Sequence, residues 1–216
     1  ILNEVDADIS NLQINGNNGG FYWNAKGSIV SYFNDSIINT RGTNTCFDLV
    51  EHSQLLINNI NFQCDSHPSL DFSFVNITNS YFSSNSSNSG YFLMKSSSHL
   101  RWISSSIMSD PLFESEDNIV DEMWFIEIHV VNQYFNHIPF SSVNITFDQY
   151  ESEYIGVLPY EGIEILGPFN GKRWTPLNGW SSSNFVHTGC DYDSVYNDTQ
   201  SLELINDIEV TCILEI

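Results

Sequence analysis

The sequence predicts an all-β protein with two parts, a solenoid of short strands over residues 1–112 and a second β domain over residues 113–216. Apolar residues recur at every second position, and β-branched or aromatic residues fill these runs, which is typical of strands rather than helices. The first half also repeats itself, at intervals of 20 and 25 residues. The acidic charge rises sharply after Pro111, which indicates a domain boundary there.

Four segments of the first half share one pattern, a short alternating apolar run followed by an Asn or Ser corner and a further apolar residue. They are residues 28–38, 47–62, 72–82 and 91–108. Leu55, Val75 and Leu100 mark equivalent points in three of them. Stacked rungs of this kind share one continuous core, and Asn tolerates the left-handed αL conformation that tight corners require. The alternative is an ordinary antiparallel sandwich whose segments are similar by coincidence.

The stretch Ser53-Gln-Leu-Leu-Ile-Asn-Asn-Ile-Asn-Phe62 resembles the repeats of right-handed parallel β-helices of the pectin-lyase-like type. In microbial surface proteins, archaeal ones especially, such repeats are often followed by an immunoglobulin-like or transthyretin-like β-sandwich. The sequence after residue 120 is similar to such a module, with 124–131 and 142–147 as its first strands and 202–216 closing it. The resemblance therefore implies a short right-handed parallel β-helix over residues 1–112, followed by a β-sandwich over residues 113–216.

The charge is divided unequally between the two parts. Residues 1–112 hold nine acidic and four basic residues, whereas residues 113–216 hold eighteen acidic and two basic residues. Nucleic acid is excluded as a partner, because binding it requires clustered positive charge. A formal net charge of −21 favours binding of divalent cations, basic partners or a saline environment that screens the charge.

Five Asn-x-Ser/Thr sequons suggest a secreted, surface-displayed glycoprotein, with chance as the alternative in a chain rich in Asn and Ser. They lie at Asn34, Asn76, Asn85, Asn144 and Asn197. No run of 18 apolar residues is present, so no segment is predicted to span a membrane. The chain begins with neither Met nor a signal peptide, so we expect a processed form or a fragment.

Four cysteines, two in each part, favour the pairings Cys46–Cys64 and Cys190–Cys212 among the three possible ones. Each bond would close a loop of roughly 20 residues and stabilise the fold by about 3 kcal/mol. Such bonds agree with an oxidising, extracellular setting. The alternative is four buried free thiols.

No catalytic motif stands out, and we do not expect an enzyme. Parallel β-helices often carry polysaccharide lyases or hydrolases, so carboxylates in the rungs, with Lys95 and Arg101, are the candidates for acid/base work. These carboxylates are Asp48, Glu51, Asp65 and Asp71. None repeats at an equivalent position of the rungs, which favours solvated surface charge. The six histidines show no metal-ligand spacing, although His129 and His137 flank one proposed turn and could meet in space.

The segment 191–198 places Asp191, Asp193 and Asp198 within eight residues, an oxygen-rich composition that suits Ca²⁺. It is not an EF-hand, because the Gly at the sixth position and the terminal Glu are missing. A possible Ca²⁺ site is therefore weighed against a plain exposed loop, and no cofactor is required.

Residues 167–180 contain the only basic spot of the acidic half, Lys172 and Arg173, together with Trp174 and Trp180. Exposed tryptophans beside these bases would suit a protein interface or a platform on which sugars stack. The alternative is a loop that folds its tryptophans back onto its own domain.

Two functions from different classes are consistent with these features. The favoured one is a non-catalytic structural glycoprotein, a subunit or module of a surface layer, sheath or filament that self-assembles or binds other surface proteins. The alternative is a carbohydrate-binding or carbohydrate-cleaving β-helix protein. Broad contacts between copies would favour the first, and a groove lined with aromatic rings and carboxylates would favour the second.

Overall fold

A computed structural model provides the structure of the chain, and its description covers most of the protein. The backbone is described for residues 2–3, 7–10, 13–16, 23–26, 30–34, 37–40, 47–50, 54–64, 68–84, 92–105, 111–149, 153–198 and 201–216. The side chains are described for residues 54–60, 68–81, 92–105, 111–149, 153–197 and 201–216. Within these ranges the protein is all-β, with twenty-four strands and no helix, which confirms the predicted class.

The strands are numbered along the chain. The first fifteen are β1 (Leu2–Asn3), β2 (Ala7–Ser10), β3 (Gln13–Gly16), β4 (Trp23–Lys26), β5 (Val30–Asn34), β6 (Ile37–Thr40), β7 (Phe47–Val50), β8 (Gln54–Asn58), β9 (Asn61–Cys64), β10 (Ser69–Leu70), β11 (Phe74–Thr78), β12 (Tyr81–Ser84), β13 (Leu93–Met94), β14 (His99–Ile103) and β15 (Leu112–Phe113). The remaining nine are β16 (Ile119–Asn132), β17 (Ser142–Phe147), β18 (Tyr154–Val157), β19 (Ile163–Thr175), β20 (Gly179–Trp180), β21 (Phe185–Tyr192), β22 (Val195–Asp198), β23 (Leu202–Glu203) and β24 (Ile208–Leu214).

None of the described residues belongs to a helix long and apolar enough to cross a membrane.

The strands of the repeats form three sheets in which successive copies pair in parallel. The sheet orders are β1-β4-β7-β10-β13-β15, then β2-β5-β8-β11-β14-β16 continued by β19 and β20, and β3-β6-β9-β12. Most strands pair with the strand three elements later, and the last steps, from β13 to β15 and from β14 to β16, span two elements. Val75 pairs with Leu55 on one side and with Leu100 on the other, which confirms the predicted register of the repeats.

The same alternation that predicted strands directs the apolar side chains inward. Leu55, Val75 and Leu100 are buried, as are the residues two positions after each of them, Ile57, Ile77 and Trp102. The Trp102 ring meets the Phe92 ring edge-on, with the ring centroids 5.2 Å apart. The repeats whose side chains are described thus bury large apolar side chains at equivalent positions, which stabilises a stack of short strands.

The corners between strands are held by hydrogen bonds that run from rung to rung. Asn59, Asn79 and Ser104 have positive φ angles, as the Asn and Ser corners predicted. The Ser80 hydroxyl accepts the backbone N–H of Ile60 at 3.0 Å. At a second corner, the Ser98 hydroxyl accepts the backbone N–H of Ser73 at 3.2 Å and donates to Ser96 O at 2.9 Å. These serines therefore satisfy buried backbone groups that no strand ladder reaches.

We expect Ser98→Ala to lower the free energy of unfolding by about 1 to 3 kcal/mol, because it leaves the buried Ser73 N–H without its acceptor. Urea unfolding followed by circular dichroism measures the change. Ser201→Ala is the matched control, since Ser201 is exposed. Equal midpoints for the two variants would show that the corner hydrogen bonds do not hold the rungs together.

The chain divides into two compact units. The first contains residues 1–121 and 173–180, and the second contains residues 122–172 and 181–216. The predicted boundary after Pro111 lies about ten residues before this division, because β15 and the Asn118 corner still continue the stack. The Asn118 side chain shows this continuity, since its Oδ1 accepts the backbone N–H of Ser98 at 2.8 Å and its Nδ2 donates to Met94 O at 2.9 Å.

In the second unit, side chains from two groups of strands share one core. β16 pairs in parallel with β24, while β17 pairs in antiparallel fashion with β18 and β21. Their buried residues form one hydrophobic cluster that includes Ile128, Val143 and Leu214. Cys190 on β21 and Cys212 on β24 lie in this cluster and form a disulfide bond, with Cα atoms 6.4 Å apart.

The outcome for the four cysteines follows from these contacts. The predicted Cys190–Cys212 bond is confirmed, and it joins strands of the two groups within the core. The predicted Cys46–Cys64 bond lies outside the described side chains, because Cys46 is not described and only the backbone of Cys64 is.

Candidate functional site

A buried carboxylate lies among the described residues of the first unit. Asp121 lies near the start of β16, and its side chain is 2% exposed. The strand brings this residue inward because its neighbours Val120 and Met123 are apolar and buried. A buried carboxylate needs charged or hydrogen-bonding partners, since its desolvation otherwise costs several kcal/mol.

Arg173 and His99 supply those partners. Arg173 Nε donates to Asp121 Oδ1 at 2.6 Å and Arg173 Nη2 donates to Asp121 Oδ2 at 2.9 Å, a two-pronged pairing. His99 Nε2 lies 2.8 Å from Asp121 Oδ2. The Arg173 and His99 side chains are 33% and 26% exposed, so the cluster reaches from the buried carboxylate to solvent.

Two further residues extend this cluster across β11 and β14. The Phe74 ring meets the His99 ring edge-on, with centroids 5.4 Å apart. The Arg101 guanidinium lies 5.1 Å from the centre of the same Phe74 ring, within the range of a cation–π contact. We name Phe74, His99, Arg101, Asp121 and Arg173 the arginine patch. Asp121 offsets one of its two arginine charges, so Arg101 gives the patch a net positive charge within an acidic chain.

Two residues paired in the parallel ladder, one of them in this patch, each carry a shielded polar atom. Arg101 pairs with Asn76 in the parallel ladder. Arg101 Nε and Asn76 Oδ1 have almost no solvent exposure and make no hydrogen bond within the described part of the chain. The patch contains a guanidinium and an aromatic ring that a ligand could contact. His99 Nε2 contacts the Asp121 carboxylate and not the hydroxyl or thiol of a nucleophile.

The carboxylates considered for acid/base work do not gather at this patch in the described part of the chain. Asp48 lies on β7 with an undescribed side chain, and Glu51 and Asp65 lie outside the described residues. Asp71 follows β10, and its Oδ1 is shielded without a hydrogen-bond partner among the described residues. Among the proposed rung residues whose side chains are described, Asp71, Lys95 and Arg101, the cluster contains Arg101.

The basic spot of the acidic half is a β-hairpin rather than a loop. Trp174 on β19 pairs with Trp180 on β20, and Gly179 has a positive φ angle at the turn. The Trp174 ring stacks on the Phe113 ring, with centroids 3.8 Å apart and planes 8° from parallel. Residues 173–180 belong to the first unit, and Arg173 and Trp174 are engaged there, whereas the alternative of folded-back tryptophans placed them on the second domain. An interface role for Lys172, Arg173, Trp174 and Trp180 stays a prediction.

The oxygen-rich segment is also a hairpin, formed by β21 and β22. Asp191 pairs with Tyr196, and the turn residues Asp193 and Ser194 have φ angles of 49° and 68°. Two positive φ angles at a two-residue turn are typical of a type I′ hairpin. No group of three or more His, Cys, Asp or Glu side chains among the described residues could hold a metal ion. The side chain of Asp198 is not described, so Ca²⁺ binding here stays a prediction.

Histidines 129 and 137 do meet, as their positions around a turn suggested. Their ring centroids lie 5.5 Å apart. His129 Nε2 is 3.1 Å from Glu127 Oε1 and 3.6 Å from Glu209 Oε1. The two glutamates border an open depression of about 280 Å³, whose other lining residues are Phe125, Ile165, Asp207 and Ile208. Parallel pairing of β16 with β24 brings these acids together across some 80 residues of sequence.

The five sequons occupy different environments. Asn76 and Asn144 lie in the middle of β11 and β17, and their Oδ1 atoms are shielded from solvent without a partner in the described part of the chain. Asn197 is exposed on β22, and its Nδ2 donates to Ile213 O at 2.7 Å. The side chain of Asn34 and the whole of Asn85 lie outside the described residues.

We expect native protein to carry glycans at Asn76 and Asn144, where Asn-Ile-Thr offers the threonine hydroxyl on an extended segment. Both residues lie on paired strands, so attachment should precede folding. Intact mass spectrometry should give a mass above the 24.6 kDa of the polypeptide, which falls when Asn76 and Asn144 are both replaced by Gln. A native mass equal to that of the bare polypeptide would contradict the prediction.

The fold and the site together define an all-β protein in which stacked parallel strands bear a buried carboxylate paired with an arginine. Comparison with protein-family models, curated proteins and solved structures gives no match for the chain.

Proposed function

We propose that the chain is a non-catalytic structural glycoprotein, a subunit or module of an extracellular surface layer, sheath or filament. In this proposal the first unit is a short right-handed parallel β-helix and the second is an immunoglobulin-like β-sandwich. The observation that carries the proposal is the parallel stacking of the repeats in three sheets, with hydrogen-bonded corners between rungs. Such a stack is an extended and rigid building element.

The second unit supports the sandwich through its shared core and its disulfide. Buried side chains of β16 and β24 face those of β17 and β21 in one cluster, and Cys190–Cys212 ties the two groups together. A bond of this kind agrees with an oxidising compartment, which favours a secreted or surface location. The arginine patch supports a non-catalytic role, because its Asp121, Arg173 and His99 groups satisfy one another.

Negative-stain microscopy and sedimentation of native material test the structural role directly. We expect ordered polymers or sheets at physiological salt. Two mechanisms could offset the acidic charge between copies. Lys172→Gln tests a basic contact, and a chelator tests divalent cations that bridge carboxylates. Lys172 is the better probe of the basic contact, because replacing Arg173 would also break its pair with Asp121. Material that stays monomeric under every condition would contradict the proposal.

The arginine patch favours a second candidate, a carbohydrate-binding β-helix protein. Arg101 presents a shielded Nε without a partner among the described residues, beside the Phe74 ring. A guanidinium can pair with the carboxylate of an acidic sugar, and an aromatic ring can stack against the face of the sugar. A glycan array with wild type and Arg101→Met separates the candidates, with Lys95→Met as the matched control. Binding lost only in Arg101→Met would favour the second candidate, and no binding by any variant would remove it.

A further inference from the structure

The second unit has a sheet edge that lacks a neighbour. β18 is the first strand in the order β18-β17-β21-β22, and among the described residues it pairs with β17 alone. The pairing continues past the strand, because Leu158 N–H donates to Ser141 O at 2.9 Å. One side of β18 thus presents backbone N–H and C=O groups to solvent, the arrangement to which another strand can add.

The outer face of this edge is apolar. Ile155 and Val157 are 70% and 62% exposed, and just beyond them Phe140 and Tyr160 are 61% and 72% exposed. The Phe140 and Tyr160 rings touch edge-on, with centroids 6.1 Å apart. We name Phe140, Ile155, Val157 and Tyr160 the apolar edge. Exposed apolar side chains concentrated in this way around one strand often mark a binding site.

The inner face of the same strand is already occupied. Ile145 and Val143 on β17 are buried, and they pair with Tyr154 and Gly156 on β18. The Tyr154 ring lies against Gly156 so closely that a Cβ there would collide with it. Ile155 and Val157 therefore point away from the buried residues of β17 and are not part of the core.

This edge strand carries few of the devices that block pairing. Natural edges are short or carry lysines, prolines or bulges, and β18 is short, with four residues, but reads Tyr-Ile-Gly-Val, without a charge or a proline. The carboxylates of Glu153 and Glu161 flank it in the sequence instead. Burial, together with the nearby Glu164 carboxylate, raises the pKa of the Tyr154 phenol.

The charge decides which occupant fits. The second unit holds fourteen acidic residues and one lysine, a formal net charge of −13, so a second copy of this unit would be repelled. We propose that the apolar edge docks an extended segment of another protein, with alternating apolar side chains and basic residues at its ends. Main-chain pairing with β18 supplies affinity, and the flanking lysines or arginines meet Glu153 and Glu161. This goes beyond the structural role, because it names a partner and does not require polymers.

Two labelled peptides test the proposal by fluorescence anisotropy on the native protein. The first has Val, Ile and Val at alternate positions, Thr between them and Lys at both ends, and the second has Glu at both ends. We expect the Lys-ended peptide to bind at least about tenfold more tightly, and its binding to weaken as salt rises. Equal binding of the two peptides, or no binding of either, would overturn the proposal.

Variants locate the site. Ile155→Thr with Val157→Thr keeps β-branched residues on the strand and should weaken binding about fivefold or more. Ile165→Thr is the matched control, since Ile165 is equally exposed on β19. Glu153→Gln with Glu161→Gln should remove the preference for the Lys-ended peptide. Unchanged binding in both double variants would refute the site.

The same measurements would also reveal two other occupants of the apolar edge, a glycan on Asn144 and a second copy of the chain. A glycan on Asn144 would lie next to Ile155, its partner in the ladder, so binding is also measured with Asn144→Gln. Binding that appears only in Asn144→Gln would overturn the proposal, because the native edge would then be covered. Sedimentation showing self-association that Ile155→Thr with Val157→Thr abolishes would assign the edge to a second copy instead.

Discussion

Arg173→Met is expected to lower the free energy of unfolding of the first unit by about 3 kcal/mol, because it removes two charge-assisted hydrogen bonds from the buried Asp121 carboxylate. This value is at the low end of the loss that follows removal of one partner from a buried ion pair. The Arg173 side chain is one-third exposed, so solvent already screens part of its charge. Urea unfolding followed by tryptophan fluorescence measures the change, because Trp174 lies next to the lost contact.

Lys172→Met is the matched control for this variant, since it removes a neighbouring positive charge and adds the same side chain. We expect it to change stability by less than about 0.5 kcal/mol. Asp121→Leu combined with Arg173→Met should recover most of the loss, because an apolar pair carries no unpaired buried charge. If Arg173→Met unfolds at the same urea concentration as Lys172→Met, the pair does not stabilise the unit.

Cys190→Ala combined with Cys212→Ala should destabilise the second unit by about 3 kcal/mol. The bond closes a loop of 22 residues, and opening it restores conformational freedom to the unfolded chain. Both sulfurs also lie in the buried core, so truncation removes packing as well. Hydrogen exchange followed by mass spectrometry should show lower protection across β17, β21 and β24, while peptides of the first unit stay unchanged.

Reduction of the wild-type protein provides the control for this loss. A reductant should bring the second unit of the wild type close to the stability of the double alanine variant, and it should not weaken the second unit of that variant further. An unchanged exchange pattern after the double substitution would mean that the core holds together without the bond.

The sequence alone determined the features that depend on local periodicity. Alternating apolar residues predicted strands, and the spacing of Leu55, Val75 and Leu100 predicted which residues pair between rungs. Asn and Ser predicted corners with positive φ, as at Asn59 and Asn79. These features could be predicted because a repeat places the same physical demand on each copy, so the pattern appears several times in one chain. The Cys190–Cys212 pairing was favoured because two cysteines fall in each predicted part of the chain.

Only the tertiary structure decided how the charged residues are used. Asp121 belongs to an acidic stretch that suggested a domain boundary, yet β16 carries it into the first unit, where Arg173 meets it from 52 positions along the chain. The sequence left Trp174 between an interface and a folded-back position, and the structure stacks its ring on Phe113, while Glu127 meets Glu209 around His129. A carboxylate or an indole has no periodicity of its own. Its role depends on which strands pair beside it, and that pairing is set by packing across the whole fold.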